Sequence, residues 1–117
     1  MAEHLETGKE GEQNATDLLI GKGYEIMVRN YRHRHAEIDI IAKKGKMLLF
    51  VEVKTRRNLS YGMPETFVDY AKTKLIMKAA EHYIFDIDWQ FDIRFDIISV
   101  VINQNETKIH HVEDAFY

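Results

Sequence analysis

The sequence contains no cysteine. Disulfides, thiolate zinc sites and cysteine nucleophiles are therefore excluded. A chain without cysteine also suits a reducing compartment, and we expect the protein in the cytoplasm. Proline occurs once, at Pro64, and no repeat, low-complexity tract or linker divides the 117 residues. The sequence therefore predicts a single domain spanning residues 1–117.

Long hydrophobic runs are also missing. No stretch of about 18 apolar residues occurs, so no membrane-spanning helix is predicted. The first residues, MAEHLETGKEGEQ, are too polar for a signal peptide, which needs an apolar central region. The net charge of −3 argues against a surface covered in positive potential. Basic residues nevertheless gather in VRNYRHRH (28–35) and KTRR (54–57), so a local basic patch is still allowed.

Hydrophobic periodicity predicts two helices and five strands. The helices are expected at about residues 7–22 and 65–85, where apolar side chains recur at helical spacing. The strands are expected at 24–32, 36–42, 47–55, 90–103 and 107–113, which are rich in β-formers. The near-continuous apolar run in the third strand indicates a central position in the sheet. The order α-β-β-β-α-β-β predicts an α/β domain built on a mixed sheet.

The second and third strands carry charges inside otherwise apolar segments. Glu37 and Asp39 are two residues apart, as are Glu52 and Lys54, so each pair shares one face of its strand. A hairpin that turns near Gly45 would place Asp39 opposite Glu52, although a slip of one residue would reverse the faces. In the favourable register Asp39, Glu52 and Lys54 converge.

Two interpretations of these charges remain open. Unpaired buried carboxylates are costly, and a hard divalent ion such as Mg²⁺ would resolve that cost by accepting carboxylate oxygens as ligands. Lys54 could then orient water or neutralise charge on a phosphate. Alternatively, Glu52 and Lys54 form a solvated face of a half-exposed hairpin, with Asp39 paired to Lys54.

The same residues carry a resemblance to a known superfamily. Asp39 followed after a short hairpin by Glu52 and Lys54 resembles the PD-(D/E)xK signature of restriction endonucleases and archaeal Holliday-junction resolvases. More closely, nearly the whole chain resembles the UPF0102, or YraN-like, family. The motifs that carry this resemblance are GE (11–12), NYR (30–32), EID (37–39), FVEVKTR (50–56), Gly62, Pro64 and RFD (94–96).

The resemblance implies a fold, a site and an activity. The fold would be restriction-endonuclease-like, a mixed β-sheet flanked by helices. Asp39 and Glu52 would bind Mg²⁺ or Mn²⁺, Glu12 would assist as a metal ligand, and Lys54 would be the catalytic lysine. The implied activity is metal-dependent hydrolysis of DNA, on branched or junction substrates, by a small protein that could act as a homodimer. The alternatives are a non-catalytic nucleic-acid-binding protein that keeps this fold, and an interaction module that touches no nucleic acid.

The sequence departs from the family at two places. His35 and Ala36 stand where the family usually has glycines, which affects how closely a phosphate could approach the turn. Ile38 stands where the signature's proline would be, a change common in the superfamily.

Further residues are assigned more local roles. Four arginines near the hairpin are candidates for gripping nucleic-acid phosphates, with ordinary surface charge as the alternative: Arg32, Arg34, Arg56 and Arg57. We expect Arg94 and Asp96 to form a structural ion pair. His33 and His35 would be a weak zinc pair, and we expect both of them, with His110 and His111, at the surface. The residues expected in the core are Phe67, Trp89, Phe91 and Phe95.

Overall fold

The computed structural model describes residues 2–57 and 70–116, with the side chains of residues 2–6 outside that description. The predicted order of elements is confirmed. The helices are α1 (Ala2–Gly21) and α2 (Tyr70–Asp86). The strands are β1 (Glu25–His33), β2 (Ala36–Lys44), β3 (Met47–Arg56), β4 (Asp92–Ile102) and β5 (Thr107–Val112). The stretch 65–69, where the second helix was predicted to begin, lies outside the described residues.

The five strands form one mixed sheet in the order β1-β2-β3-β4-β5. Neighbouring strands are antiparallel except β3 and β4, which are parallel. Strand β3 is central, as its apolar sequence predicted, and α2 lies in the chain segment that connects it to β4. Parallel strands need such a crossover connection, whereas the hairpin β2–β3 turns within two residues.

Gly45 makes that tight turn possible. Lys44 pairs with Met47, so Gly45 and Lys46 alone connect the strands, and Gly45 has a φ of 58°. A left-handed residue at the first central position is what a type II′ hairpin turn requires, and glycine adopts it without steric cost. The turn sets the register of β2 against β3, and with it the placement of the charges that the two strands carry.

Each face of the sheet is covered by one helix. Helix α1 packs on a cluster that includes Leu19, Leu49 and Val51. Helix α2 packs on the opposite cluster, which includes Phe50, Tyr83 and Phe95. Burial on both faces accounts for the near-continuous apolar sequences of β3 and β4. Neither described helix is long and apolar enough to cross a membrane.

The aromatic core was predicted only in part. Phe95 is buried, as expected, and Trp89 is partly buried against the α2-side cluster. The prediction for Phe91 is wrong, because its side chain is 57% exposed. Phe91 precedes β4, where its ring contacts Trp89 edge-on and lies under the ammonium of Lys46. Phe67 lies outside the described residues.

Candidate active site

The candidate site lies where β2 and β3 separate. The last ladder pair of the hairpin is Ile40 with Val51, so one further step places Asp39 opposite Glu52, as the sequence predicted. There the carboxylate of Asp39 replaces a backbone partner, because its Oδ2 accepts a hydrogen bond of 2.7 Å from the backbone N–H of Val53. The two carboxylates are therefore held at the same point of the sheet by backbone geometry.

Asp39 is in an environment that disfavours its charge. Burial raises the pKa of this carboxyl to about 7, and the hydrogen bond from Val53 opposes the shift only in part. The negative fields of Glu12, Glu52 and Glu37 raise the pKa further. Carboxylates from α1, β2 and β3 thus act on Asp39 within a single site, which is the electrostatic condition that a bound cation relieves.

Glu52 is a buried carboxylate whose two oxygens differ. The residue is only 8% exposed. Its Oε1 forms an ion pair with the ammonium of Lys72 on α2. Its Oε2 is buried and, among the residues that the structure describes, has no hydrogen-bond partner. A buried oxygen without a partner is costly to desolvate, so Glu52 presents an acceptor that a ligand could use.

Lys54 follows two residues after Glu52 and therefore shares its face of β3. In the parallel ladder Lys54 is directly beside Ser99 of β4. The Ser99 hydroxyl is the second buried side-chain atom without a partner in the described part of the chain. Glu52 and Ser99 thus flank Lys54, the first two residues before it on β3 and the second beside it on β4.

Glu12 reaches the site because α1 approaches β3 unusually closely. A Cβ atom on Gly11 would lie 2.0 Å from Oγ1 and 2.9 Å from Cβ of Thr55. Only glycine allows this contact, and the next residue, Glu12, is thereby placed near enough to raise the pKa of Asp39. The Glu12 carboxylate also lies 3.8 Å from the guanidinium of Arg29.

Gly11→Ala should lower the free energy of unfolding by about 1–3 kcal/mol, the usual cost of overpacking. The Cβ of Thr55 cannot rotate away, so the helix itself must shift. Urea denaturation measures the effect. Gly8→Ala is the matched control, since open space surrounds Gly8 and alanine there should stabilise α1 by up to about 1 kcal/mol. Equal behaviour of the two variants would contradict the close contact.

The donor set fits a hard divalent cation, although the residues do not form a finished coordination sphere. Among the side chains that the structure describes, no group of three or more histidines and carboxylates is arranged to hold a metal ion. The fit rests on the buried oxygen of Glu52, which has no hydrogen-bond partner in residues 2–57 and 70–116, and on the raised pKa of Asp39. Carboxylate oxygens of this kind are the ligands that Mg²⁺ and Mn²⁺ prefer.

The four predicted phosphate-binding arginines occupy different positions. Arg32 is exposed and pairs with Glu37 at 3.2 Å. Arg56 is exposed at the end of β3. Arg57 is held by α1, because its Nε donates to Thr7 Oγ1 at 2.9 Å. Arg34 occupies the β1–β2 turn with a φ of 57°.

His35 is exposed, as expected, and His33 is partly buried. His33 does not pair with His35; its ring stacks on that of His82 in α2, with centroids 4.2 Å apart. His82 was missed because the two residues are far apart in sequence and only the packing of α2 on β1 brings them together.

The expected ion pair between Arg94 and Asp96 is confirmed, and a histidine joins it. Arg94 donates from Nε and Nη2 to the two oxygens of Asp96, each at 2.9 Å. His111 lies 2.7 Å from Asp96 through Nε2, and Lys22 lies 2.7 Å from its Nδ1. The prediction that His111 is a surface residue is wrong, because only 4% of its side chain is exposed. The adjacent His110 faces the other way and is exposed.

Comparison with known proteins places the chain in a family. The pattern of the uncharacterised protein family UPF0102 matches residues 11–100. A UPF0102 protein of Christiangramia forsetii is 45% identical over 117 residues, covering 100% of this chain and 98% of the relative. One from Flavobacterium psychrophilum is 48% identical, with the same coverage of both chains. One from Thermodesulfovibrio yellowstonii is 42% identical over 97% of each chain. The chain therefore belongs to the uncharacterised protein family UPF0102.

Proposed function

We propose that this protein is a divalent-metal-dependent nuclease that hydrolyses phosphodiester bonds in DNA. One observation carries the proposal. Within the described part of the chain, the buried Glu52 keeps an oxygen without a hydrogen-bond partner, and burial raises the pKa of nearby Asp39 to about 7, with the fields of neighbouring carboxylates adding to the shift. A site that gathers acidic groups at such a cost is poised for a cation. The sequence signature of Asp39, Glu52 and Lys54 supports the same reading.

Asp39 and Glu52 would hold Mg²⁺ or Mn²⁺, and Glu12 on α1 would contribute directly or through water. When bound, the ion supplies positive charge next to the scissile phosphate and lowers the pKa of a coordinated water. The backbone N–H of Val53 orients the Asp39 carboxylate, since it already donates to Oδ2. Lys72 must release the Glu52 oxygen that it occupies for both oxygens to serve as ligands.

Lys54 would act on the reacting groups themselves. Its ammonium shares a face with Glu52 and adjoins Ser99 on the next strand. From that position it can orient the attacking water and neutralise charge that develops on the phosphate. Arg32, Arg34 and Arg56 are exposed around the hairpin and would contact phosphates farther along the DNA. A domain of this size offers limited surface for a duplex, so we propose that the protein acts as a homodimer. Its proposed substrate is branched DNA, and its proposed compartment is the cytoplasm.

Lys54→Ala should reduce cleavage of DNA at least a hundredfold, because it removes a charge that acts mainly in the transition state. The assay compares branched, nicked and single-stranded DNA with Mn²⁺. Lys108→Ala on β5 is the matched control and should cleave like the wild type, since Lys108 is exposed on the outermost strand, next to β4 and away from β2. Equal cleavage by wild type and Lys54→Ala would remove Lys54 from the mechanism.

A second candidate is a nucleic-acid-binding protein without turnover. The ion pair between Lys72 and Glu52 favours it, because the lysine provides the cation that a metal would otherwise supply. Melting temperature separates the two candidates. Mn²⁺ that raises the melting temperature of the wild type but not of Asp39→Ala supports the nuclease. No shift, together with salt-sensitive DNA binding, supports the binder.

A further inference from the structure

A groove outside the carboxylate site opens between the β1–β2 turn and α2. Its volume is about 270 Å³. The residues that line it, here called the His33 groove, are His33, Arg34, Leu75, Lys78 and Glu81. The volume is at the small end of ligand pockets, which suits a single nucleotide better than a larger molecule.

One wall of the His33 groove is a fixed aromatic surface. The His33 ring stacks on His82 at an interplanar angle of 24°. Tyr31 holds His82 in turn, through a hydrogen bond of 2.8 Å between its hydroxyl and Nδ1. Desolvation, His82 and the Arg34 guanidinium lower the pKa of His33. The stacked and hydrogen-bonded rings form a surface on which a nucleobase can stack.

The groove is poorly arranged for a metal ion. One nitrogen of His82 is already bonded to Tyr31, and the described side chains contain no group of three or more histidines and carboxylates placed to hold an ion. Two imidazoles without a third ligand make a weak zinc site.

The charges of the groove suit a phosphate. Arg34 and Lys78 place a guanidinium and an ammonium on its lining, against the single carboxylate of Glu81. Arg34 adopts a φ of 57°, a conformation that is uncommon for a residue with a side chain. Arg34 thus brings to the groove a planar guanidinium, a group that binds phosphate oxygens in bidentate fashion.

The groove and the candidate active site lie on the same side of the sheet. Lys72, which contacts Glu52, and Lys78, which lines the groove, are six residues apart on α2, or about 9 Å along the helix axis. His33 pairs with Ala36, three residues before Asp39, which is about 10 Å along β2. That separation corresponds to about three nucleotides of a stacked strand at ~3.4 Å each.

We infer that the His33 groove binds one unpaired nucleotide of a DNA strand, with the base stacked on His33 and a neighbouring phosphate held by Arg34 and Lys78. The placement of this nucleotide about three positions from the scissile bond rests on the proposed nuclease function. The binding itself does not. A single-stranded segment is the ligand because a base inside a duplex has no free face to offer.

The test measures binding of a fluorescent single strand of about 12 nucleotides by anisotropy in EDTA, where hydrolysis cannot occur. His33→Ala should weaken binding about fivefold or more, the effect of losing one stacked base. His33→Phe, which keeps a ring, should restore most of it. Arg34→Gly removes the cation without straining the turn and should also weaken binding, whereas Lys108→Ala should bind like the wild type.

A strand of equal length with abasic sites separates base from phosphate recognition. On that strand His33→Ala should bind as well as the wild type, while Arg34→Gly should still bind more weakly. Single-strand affinity that His33→Ala leaves unchanged, or lowers equally on the abasic strand, would overturn the inference, as would no binding at all. Normal binding without cleavage when Mn²⁺ is added would refute the nuclease proposal but would still support nucleotide binding by the His33 groove.

Discussion

Asp39→Asn should make the protein more stable at pH 8 and leave its stability nearly unchanged near pH 4. The folded-state pKa of Asp39 is about 7, against an ordinary value of 3.8. Below pH 4 the carboxyl is protonated in both the folded and unfolded chain, so its burial costs little. As the pH rises through 7 the folded protein must accept a buried charge, and stability is lost. Asparagine never carries that charge, and its amide oxygen can still accept the hydrogen bond from Val53.

The gain at pH 8 has an upper bound of about 4 kcal/mol, from roughly three pKa units at ~1.4 kcal/mol each. Relaxation of the site reduces it, and we expect about 1–3 kcal/mol. Urea denaturation of both proteins at pH 4 and pH 8 measures the difference. Asp17→Asn on the exposed side of α1 is the control and should change stability by less than about 0.5 kcal/mol at either pH. A loss of stability in Asp39→Asn at pH 8 would show that the charged carboxylate is favoured there.

The hairpin was predictable because its determinants are local. Strand alternation placed Glu52 and Lys54 on one face, and Gly45 fixed the register that brings Asp39 opposite Glu52. The apolar run of β3 likewise predicted its central position. These inferences need only the sequence of two adjacent strands and the turn between them, so sequence periodicity is sufficient.

The partners of these residues were not predictable in the same way. Helical periodicity identifies the core face of α2, but it does not say which strand Lys72 or His82 will contact on the flank of the helix. Both contacts depend on how α2 packs across the sheet. They matter for function, because Lys72 occupies an oxygen of Glu52 and His82 supports His33. The sequence thus pointed to the carboxylates but did not reveal the Lys72 ammonium or the His33 groove.

His111 illustrates a second reason for failure. An adjacent pair of histidines on a strand must face opposite sides, which the sequence predicted, but it does not reveal which side is covered. The ladder pairs His111 with Ile98, on the side that carries α1, and the ring meets the buried carboxylate of Asp96 there. The sequence predicted that His111, a polar residue in a weak outer strand, is exposed, because its buried partner Asp96 lies on another strand.

Asp96 is the centre of the buried network around His111. The residue is fully buried, and it accepts hydrogen bonds from Arg94, from His111 and from the backbone N–H of Asp114 at 3.0 Å. Burial alone would raise the pKa of this carboxyl, but the three sets of donors outweigh burial and hold the pKa below its ordinary value. Hydrogen bonding to Asp96 likewise raises the pKa of Arg94. Since Lys22 donates to Nδ1, His111 carries its proton on Nε2 and donates it to Asp96.

Asp96→Ala should lower the free energy of unfolding by about 3–5 kcal/mol at pH 7, because it leaves a largely buried guanidinium and an imidazole N–H without their acceptor. A carboxyl with a depressed pKa stabilises the fold above its unfolded pKa and loses that contribution as pH falls through the folded value. The difference in free energy of unfolding between wild type and Asp96→Ala should therefore be largest at pH 7 and should shrink below pH 4. Urea denaturation across this pH range measures the difference in free energy of unfolding. Glu113→Ala is the control, because Glu113 contacts the same Arg94 from the surface at 3.6 Å. Its loss should lower the free energy of unfolding by less than about 1 kcal/mol. If Asp96→Ala lowered the free energy of unfolding no more than Glu113→Ala, the network would stabilise the fold no more than an ordinary surface ion pair. Apolar packing alone would then hold β4, β5 and the C-terminal turn together.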